Sequence, residues 1–165
     1  MPGARPGKEA EVDLLLWRHA EAQLWVQEEG EDLDRVLTSR GEKQAARVAA
    51  WLDRQLPDGT RILVSPARRA EQTAKALGRK YKVRPEISPQ GSVEQLLELV
   101  QWPDSKYTTL VIGHQPVLGQ TIARLLNWQN TDCPVRKGAV WWLRHRQREA
   151  LAQTIVVAVQ SPDVI

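Results

Sequence analysis

The stretch LLLWRHAEA, Leu14 to Ala22, sets an Arg-His pair at the end of an apolar run. The run from Val12 to Trp17 is apolar apart from Asp13 and reads as a buried strand. The chain uses the same dipeptide again in VWWLRHRQRE, Val140 to Glu149. The pair alone therefore says little. What distinguishes the two copies is the pattern of elements around each.

Outward from Leu14, strands and helices alternate. Glu21 to Asp34 is acidic and poor in apolar residues, which suits a loop or a short helix. LTSRGEKQAARVAAWLDRQL, Leu37 to Leu56, is a helix: Val48, Leu52 and Leu56 recur at four, with Ala45, Ala49 and Trp51 beside them. Ser39 and Glu42 have capping-box spacing, and Pro57-Asp58-Gly59 ends the helix. RILVS, Arg61 to Ser65, is a strand, and Pro66 opens a helix running to about Gly78. KVRPEI holds a proline and fits a weak edge strand. SVEQLLELVQW is a helix with a serine cap, YTTLVIG a further strand, and Val117 to Asn127 a further helix. GAVWWLRH and AQTIVVAVQ, separated by a short polar link, form a hairpin rather than a crossover. The expected fold is a three-layer α/β/α domain whose central sheet is mostly parallel, with antiparallel strands from the C-terminal part. The expected organisation is a disordered leader over 1–11 and a single domain over 12–165.

Composition removes several function classes. No apolar run approaches the roughly 20 residues of a membrane span, and MPGARPGKEAEVD has no apolar segment of a secretory signal. Cys133 is the single cysteine, so no internal disulfide forms, which fits a reducing cytoplasm. The three histidines, His19, His114 and His145, match no zinc-site spacing, and no metal or cofactor is expected. A net charge of +3 with dispersed basic residues argues against a nucleic-acid partner. Sixteen of the 23 basic residues are arginine, the residue suited to bidentate capture of an oxyanion.

In open parallel sheets, ligands sit beyond the carboxyl ends of the strands. Three strands here end in Arg18-His19, in Ser65-Pro66-Ala67-Arg68-Arg69 and in Gly113-His114-Gln115-Pro116. The last two lead into helix N-termini, where anions are favoured. One histidine can accept a phosphoryl group on nitrogen, arginines can hold its oxygens, and the second histidine can donate a further hydrogen bond.

RHA, SPARRAEQT and GHQP resemble the motifs of the histidine phosphatase superfamily, also called phosphoglycerate-mutase-like. The order and short length look most like its SixA-type phosphohistidine phosphatases. The resemblance implies that His19 is the phosphoryl acceptor, that Arg18 and Arg69 bind phosphate, and that His114 is the second catalytic histidine and a further phosphate ligand. Arg68 falls on a variable position and is expected at the surface. Two departures stand out. Ala20 replaces the family's usual glycine after Arg-His. The 44 residues between Arg69 and His114 also leave no room for the lid that carries an acid in larger relatives. An alcohol leaving group needs a proton, whereas an imidazole leaves more readily, so a site without a strong acid favours P–N hydrolysis. Glu21 is the nearest candidate acid, with Glu94 behind it.

The expected activity is a metal-independent phosphatase acting on phosphohistidine of a signalling protein such as a histidine phosphotransfer domain. A small-molecule phosphomonoesterase is the alternative, and a non-catalytic phosphoprotein-binding module the rival from another class. The expected setting is a cytoplasmic monomer, with no membrane contact. Trp141 and Trp142 alternate across a strand, one packing inward and the other available to a partner. The acidic segment 28–34 borders the first strand and is expected to be a solvated loop with the option of gating the site.

Overall fold

The apolar runs become the middle of one six-stranded sheet. The structure, a computed structural model, describes residues 10–165. Its strands are β1 (Ala10–Arg18), β2 (Arg61–Val64), β3 (Lys82–Val83), β4 (Thr109–Gly113), β5 (Val140–Arg148) and β6 (Leu151–Gln160). Its helices are α1 (Ser39–Gln55), α2 (Arg68–Lys75), α3 (Val93–Leu99) and α4 (Val117–Leu125). The strand order is β3-β2-β4-β1-β5-β6. β3, β2, β4 and β1 run parallel, while β5 is antiparallel to β1 and β6 to β5.

Side chains alternate across a strand, so a strand covered on both faces must be apolar throughout. In β1, Leu15 and Trp17 join α1 and α2 (Val48, Leu52, Ala70, Ala74) in one core. Leu14 and Leu16 join α3 and α4 (Leu96, Leu118, Ile122) in the other. Helices thus cover both faces, giving the expected three layers. Asp13, the polar break in the run, accepts hydrogen bonds from Trp142 Nε1 (3.1 Å) and Arg144 Nε (2.7 Å) on β5. The adjacent tryptophans do alternate, and each finds an aromatic neighbour: Trp142 meets Trp51 edge-on, and Trp141 meets Trp128.

The edge strand expected over KVRPEI keeps only Lys82–Val83, and Pro85–Ile87 turns as a 3-10 helix because proline cannot donate to the ladder. α2 and α4 end at Lys75 and Leu125. Four further boundaries differ from expectation. The cap of α1 is Thr38, whose Oγ1 accepts from Gly41 N at 2.9 Å; Ser39 is already the first helical residue, so Glu42 is one place too far along for the box. α2 begins at Arg68 rather than Pro66, because the Ser65 hydroxyl accepts from Ala67 N and holds the chain in a turn. The hairpin link shrinks to Glu149 and Ala150, since polar residues of β5 and β6 continue the pairing, Arg146 opposite Gln153 and Arg148 opposite Leu151. Finally, β1 starts at Ala10, with Ala10 and Glu11 opposite Gln147 and Arg146. Two residues expected in the leader therefore belong to the sheet, and the rest of the leader lies outside the described residues. α3 keeps its serine cap, with the Ser92–Gln95 box complete. Among the described residues, no helix is long and apolar enough to cross a membrane.

Candidate active site

The carboxyl ends of β2, β4 and β1 lie side by side. Ser65 N donates to Ile112 O at 3.0 Å, and His19 N donates to Gly113 O at 3.1 Å. The lead into β5 closes a further side, with Gly138 N donating to the carbonyls of Arg18 and His19 and Trp17 Nε1 donating to Gly138 O. These bonds bring Arg18, His19, Arg69 and His114 to one edge, as the three strand-end motifs imply.

His19 is buried at 7% exposure, and its Nδ1 lies 2.7 Å from the carbonyl oxygen of Ala20. A carbonyl only accepts, so Nδ1 carries the proton and Nε2 presents its lone pair. Ala20 is itself held: its N–H donates to Thr73 Oγ1, and Thr73 donates back to the Arg69 carbonyl. Burial pushes the His19 imidazole down to about 3; the Ala20 bond opposes this, while Arg69, Arg18 and Arg35 add to it. At neutral pH the ring is an uncharged base.

His114 is 4% exposed, its ring centre 5.2 Å from that of His19 and inclined at 53°. Its Nε2 lies 2.7 Å from Ser65 Oγ. Burial first, then His19 and Arg69, hold this imidazole at about 3 as well. When the Ser65 hydroxyl donates to Nε2, the ring proton sits on Nδ1 and can be given to a ligand.

Arg18 donates from Nη1 to Val135 O at 2.8 Å. Arg69 is 3% exposed and donates from Nη1 to Asp32 O (2.8 Å) and from Nη2 to Asp32 Oδ2 (3.1 Å). Burial lowers both guanidinium pKa values, for Arg18 with Arg69 as second cause, yet arginine stays charged. The Nε atoms of Arg18 and Arg69 are buried and meet no acceptor among the described residues. A buried charged donor without a partner is costly, so two of them beside paired imidazoles mark a place for an anion. The group can hold a tetrahedral oxyanion and present a nucleophilic nitrogen to it. Among the described residues, no three His, Cys, Asp or Glu side chains gather as a metal-ligand set.

The other candidates fall elsewhere. Glu21 Oε2 accepts from Thr38 Oγ1 at 2.7 Å, at the start of α1. Glu94 pairs with Arg124 across α3 and α4. Arg68 is exposed, as expected. His145 lies opposite Val12, far up β1 from the strand end, and packs edge-on against Trp102. Sequence reasoning assigned no role to Ser65, Thr73, Asp32 or the segment Val135 to Gly138. Ser65 stood in the quoted motif, and Thr73 sits one helical turn past Arg69. The contact of Asp32 with Arg69 has no local signal, because 37 positions separate them.

Residues 14–90 match the profile of the histidine phosphatase superfamily (branch 1). The phosphohistidine phosphatase SixA of Escherichia coli (strain K12) is 32% identical over 122 residues, which cover 69% of this chain and 74% of that protein. This chain belongs to the histidine phosphatase superfamily. Among solved structures, the protein histidine phosphatase SixA complexed with tungstate matches with a TM-score of 0.75 at 28% identity, covering 92% of this chain and 97% of that one. A SixA from Nakamurella multipartitia gives 0.74 at 27% identity, covering 93% and 97%. The three-layer fold of this histidine phosphatase superfamily member is phosphoglycerate-mutase-like, and the protein is a phosphatase.

Proposed function

We propose that this phosphatase hydrolyses phosphohistidine on a signalling protein by way of a phosphorylated His19. Nε2 of His19 attacks phosphorus as the bond from phosphorus to the substrate imidazole breaks, and that imidazole, protonated on its other ring nitrogen, leaves as the neutral ring. Arg18 and Arg69 hold the non-bridging oxygens, and His114 donates from Nδ1 to one of them. Water then attacks the phosphoryl group of His19, releasing inorganic phosphate and restoring the neutral ring. The single observation that carries this reading is the state of His19: uncharged, its Nδ1 committed to the Ala20 carbonyl, its Nε2 lone pair free, with the charges of Arg69 and Arg18 acting on the ring.

The choice of P–N over P–O cleavage is supported by where the carboxyls are. Glu21 is bound to Thr38 at the start of α1, and Asp32 is committed to Arg69 and Arg35, so both carboxyls are engaged away from the leaving group. An imidazole leaving group does without an acid. The similarity to the E. coli SixA protein points the same way. The proposed place of action is the cytoplasm, which suits a chain with one cysteine.

The test has two arms. Brief exposure to a labelled phosphohistidine protein should trap an acid-labile phosphoenzyme in the wild type and none in His19→Ala; equal label in both sinks the nucleophile assignment. In competition, the phosphohistidine protein should be turned over in preference to sugar phosphates and other phosphomonoesters. A clear win for the esters would make the protein a small-molecule phosphomonoesterase instead.

A further inference from the structure

We propose that Asp32, in the acidic segment before α1, is the positioning residue of the phosphate clamp: it holds one edge of the Arg69 guanidinium so that the opposite edge faces the anion. The inference rests on the phosphatase reading above. A guanidinium has two usable edges. One is formed by Nη1 and Nη2, the other by Nε with the remaining hydrogen of Nη2. Asp32 takes the first edge twice over, its main-chain oxygen accepting from Nη1 at 2.8 Å and its Oδ2 from Nη2 at 3.1 Å. The second edge includes the buried Nε that meets no acceptor among the described residues.

This arrangement orients Arg69 before any ligand arrives. Asp32 is itself held from the far side, Oδ1 accepting from Arg35 Nε at 2.8 Å, while Arg35 Nη1 donates to Gln23 O. Partial burial pushes the Asp32 carboxyl up, but the Arg69 and Arg35 guanidiniums beside it outweigh that and hold it below its usual value. It is thus a fixed acceptor at working pH and not a proton donor. Asp32 is about one-third exposed and sits in a short turn, Asp32–Asp34, so its removal need not disturb a core.

The opposite arrangement would be competition, in which the carboxylate occupies the edge that phosphate needs. The two differ in sign, and direct binding separates them. Titration calorimetry of inorganic phosphate into the full chain should show Asp32→Ala binding about tenfold more weakly than wild type, the size of one charge-assisted hydrogen bond. Asp32→Asn keeps an acceptor without the charge and should lose about threefold, by the same reasoning. The Arg69 Nε–H resonance, identified by its loss in Arg69→Lys, should exchange slowly in wild type and broaden in Asp32→Ala. Equal or tighter phosphate binding by Asp32→Ala overturns the positioning role alone. No phosphate binding by the wild type overturns the phosphatase reading and this inference with it.

Discussion

Ser65 Oγ lies 2.7 Å from Nε2 of His114 and accepts the N–H of Ala67. One hydroxyl thereby joins the turn into α2 to an imidazole at the end of β4. After accepting from Ala67 the hydroxyl keeps its proton and a second lone pair, and when it donates to His114 Nε2 the ring carries its own proton on Nδ1. Ser65→Ala removes that partner. It should lower kcat by roughly 10- to 100-fold with little change in KM, the range seen when a supporting partner of a functional histidine is lost. It also leaves the buried Ala67 N–H unpaired, at a stability cost of about 1–3 kcal/mol. Steady-state kinetics with thermal unfolding check both.

Arg69→Lys keeps the charge and loses the fork. A lysine ammonium cannot grip Asp32 and a phosphoryl oxygen from two edges at once. We expect kcat/KM to fall by about 10²–10³, comparable to removing one preorganised transition-state donor. His145→Ala, on β5 against Trp102, is the contrasting variant and should keep activity within about twofold, losing only an aromatic edge contact.

Acid should unfold this protein through its two active-site imidazoles. Both sit near 3 in the folded chain and near 6.5 when unfolded. Between those values the unfolded chain binds more protons than the folded one, so stability rises with pH there and is lost as pH falls from 6.5 towards 3. Above 6.5 neither ring contributes a slope. Denaturant unfolding at a series of pH values should show this limb, and His114→Ala should flatten it. A bound phosphate dianion should raise both values, seen as proton uptake when calorimetry is repeated in buffers of different ionisation enthalpy.

Gly41 lies where α1 touches the loop behind the nucleophile. A Cβ there would sit well inside contact distance of the Glu21 carbonyl oxygen, and main chain has little room to yield. Thr38 N also donates to that carbonyl. Gly41→Ala should cost about 1–3 kcal/mol as an overpacked site. Because Glu21 follows Ala20, whose oxygen holds His19, the shift should reach the nucleophile and lower kcat as well. Normal kcat in a destabilised variant would show that the loop yields away from His19.

The layers of the fold were legible in the chain because burial on both faces forces unbroken apolar runs. Leu14 to Trp17, Ile62 to Val64 and Leu110 to Ile112 announce themselves in this way, and the stripe of Val48, Ala49 and Leu52 does the same for α1. Boundaries set by single hydrogen bonds were not. Thr38 rather than Ser39 caps α1, and the Ser65 turn delays α2, since hydroxyls one residue apart look alike until the backbone chooses between them.

The amino-acid sequence by itself determined that three crossover strands end in Arg-His, Ser-Pro-x-x-Arg and Gly-His, and that those ends converge. It thereby separated His19 from His145, because one Arg-His pair closes a parallel strand and the other lies within a hairpin. Only the tertiary structure decided which nitrogen of His19 is free, which edge of Arg69 faces the site, and that Glu21 is tied to Thr38. The reason is physical. Strand periodicity is written locally, every second residue. Hydrogen bonds such as Arg69–Asp32 and His114–Ser65 join positions 37 and 49 apart, and they exist only once the sheet has brought its strand ends together.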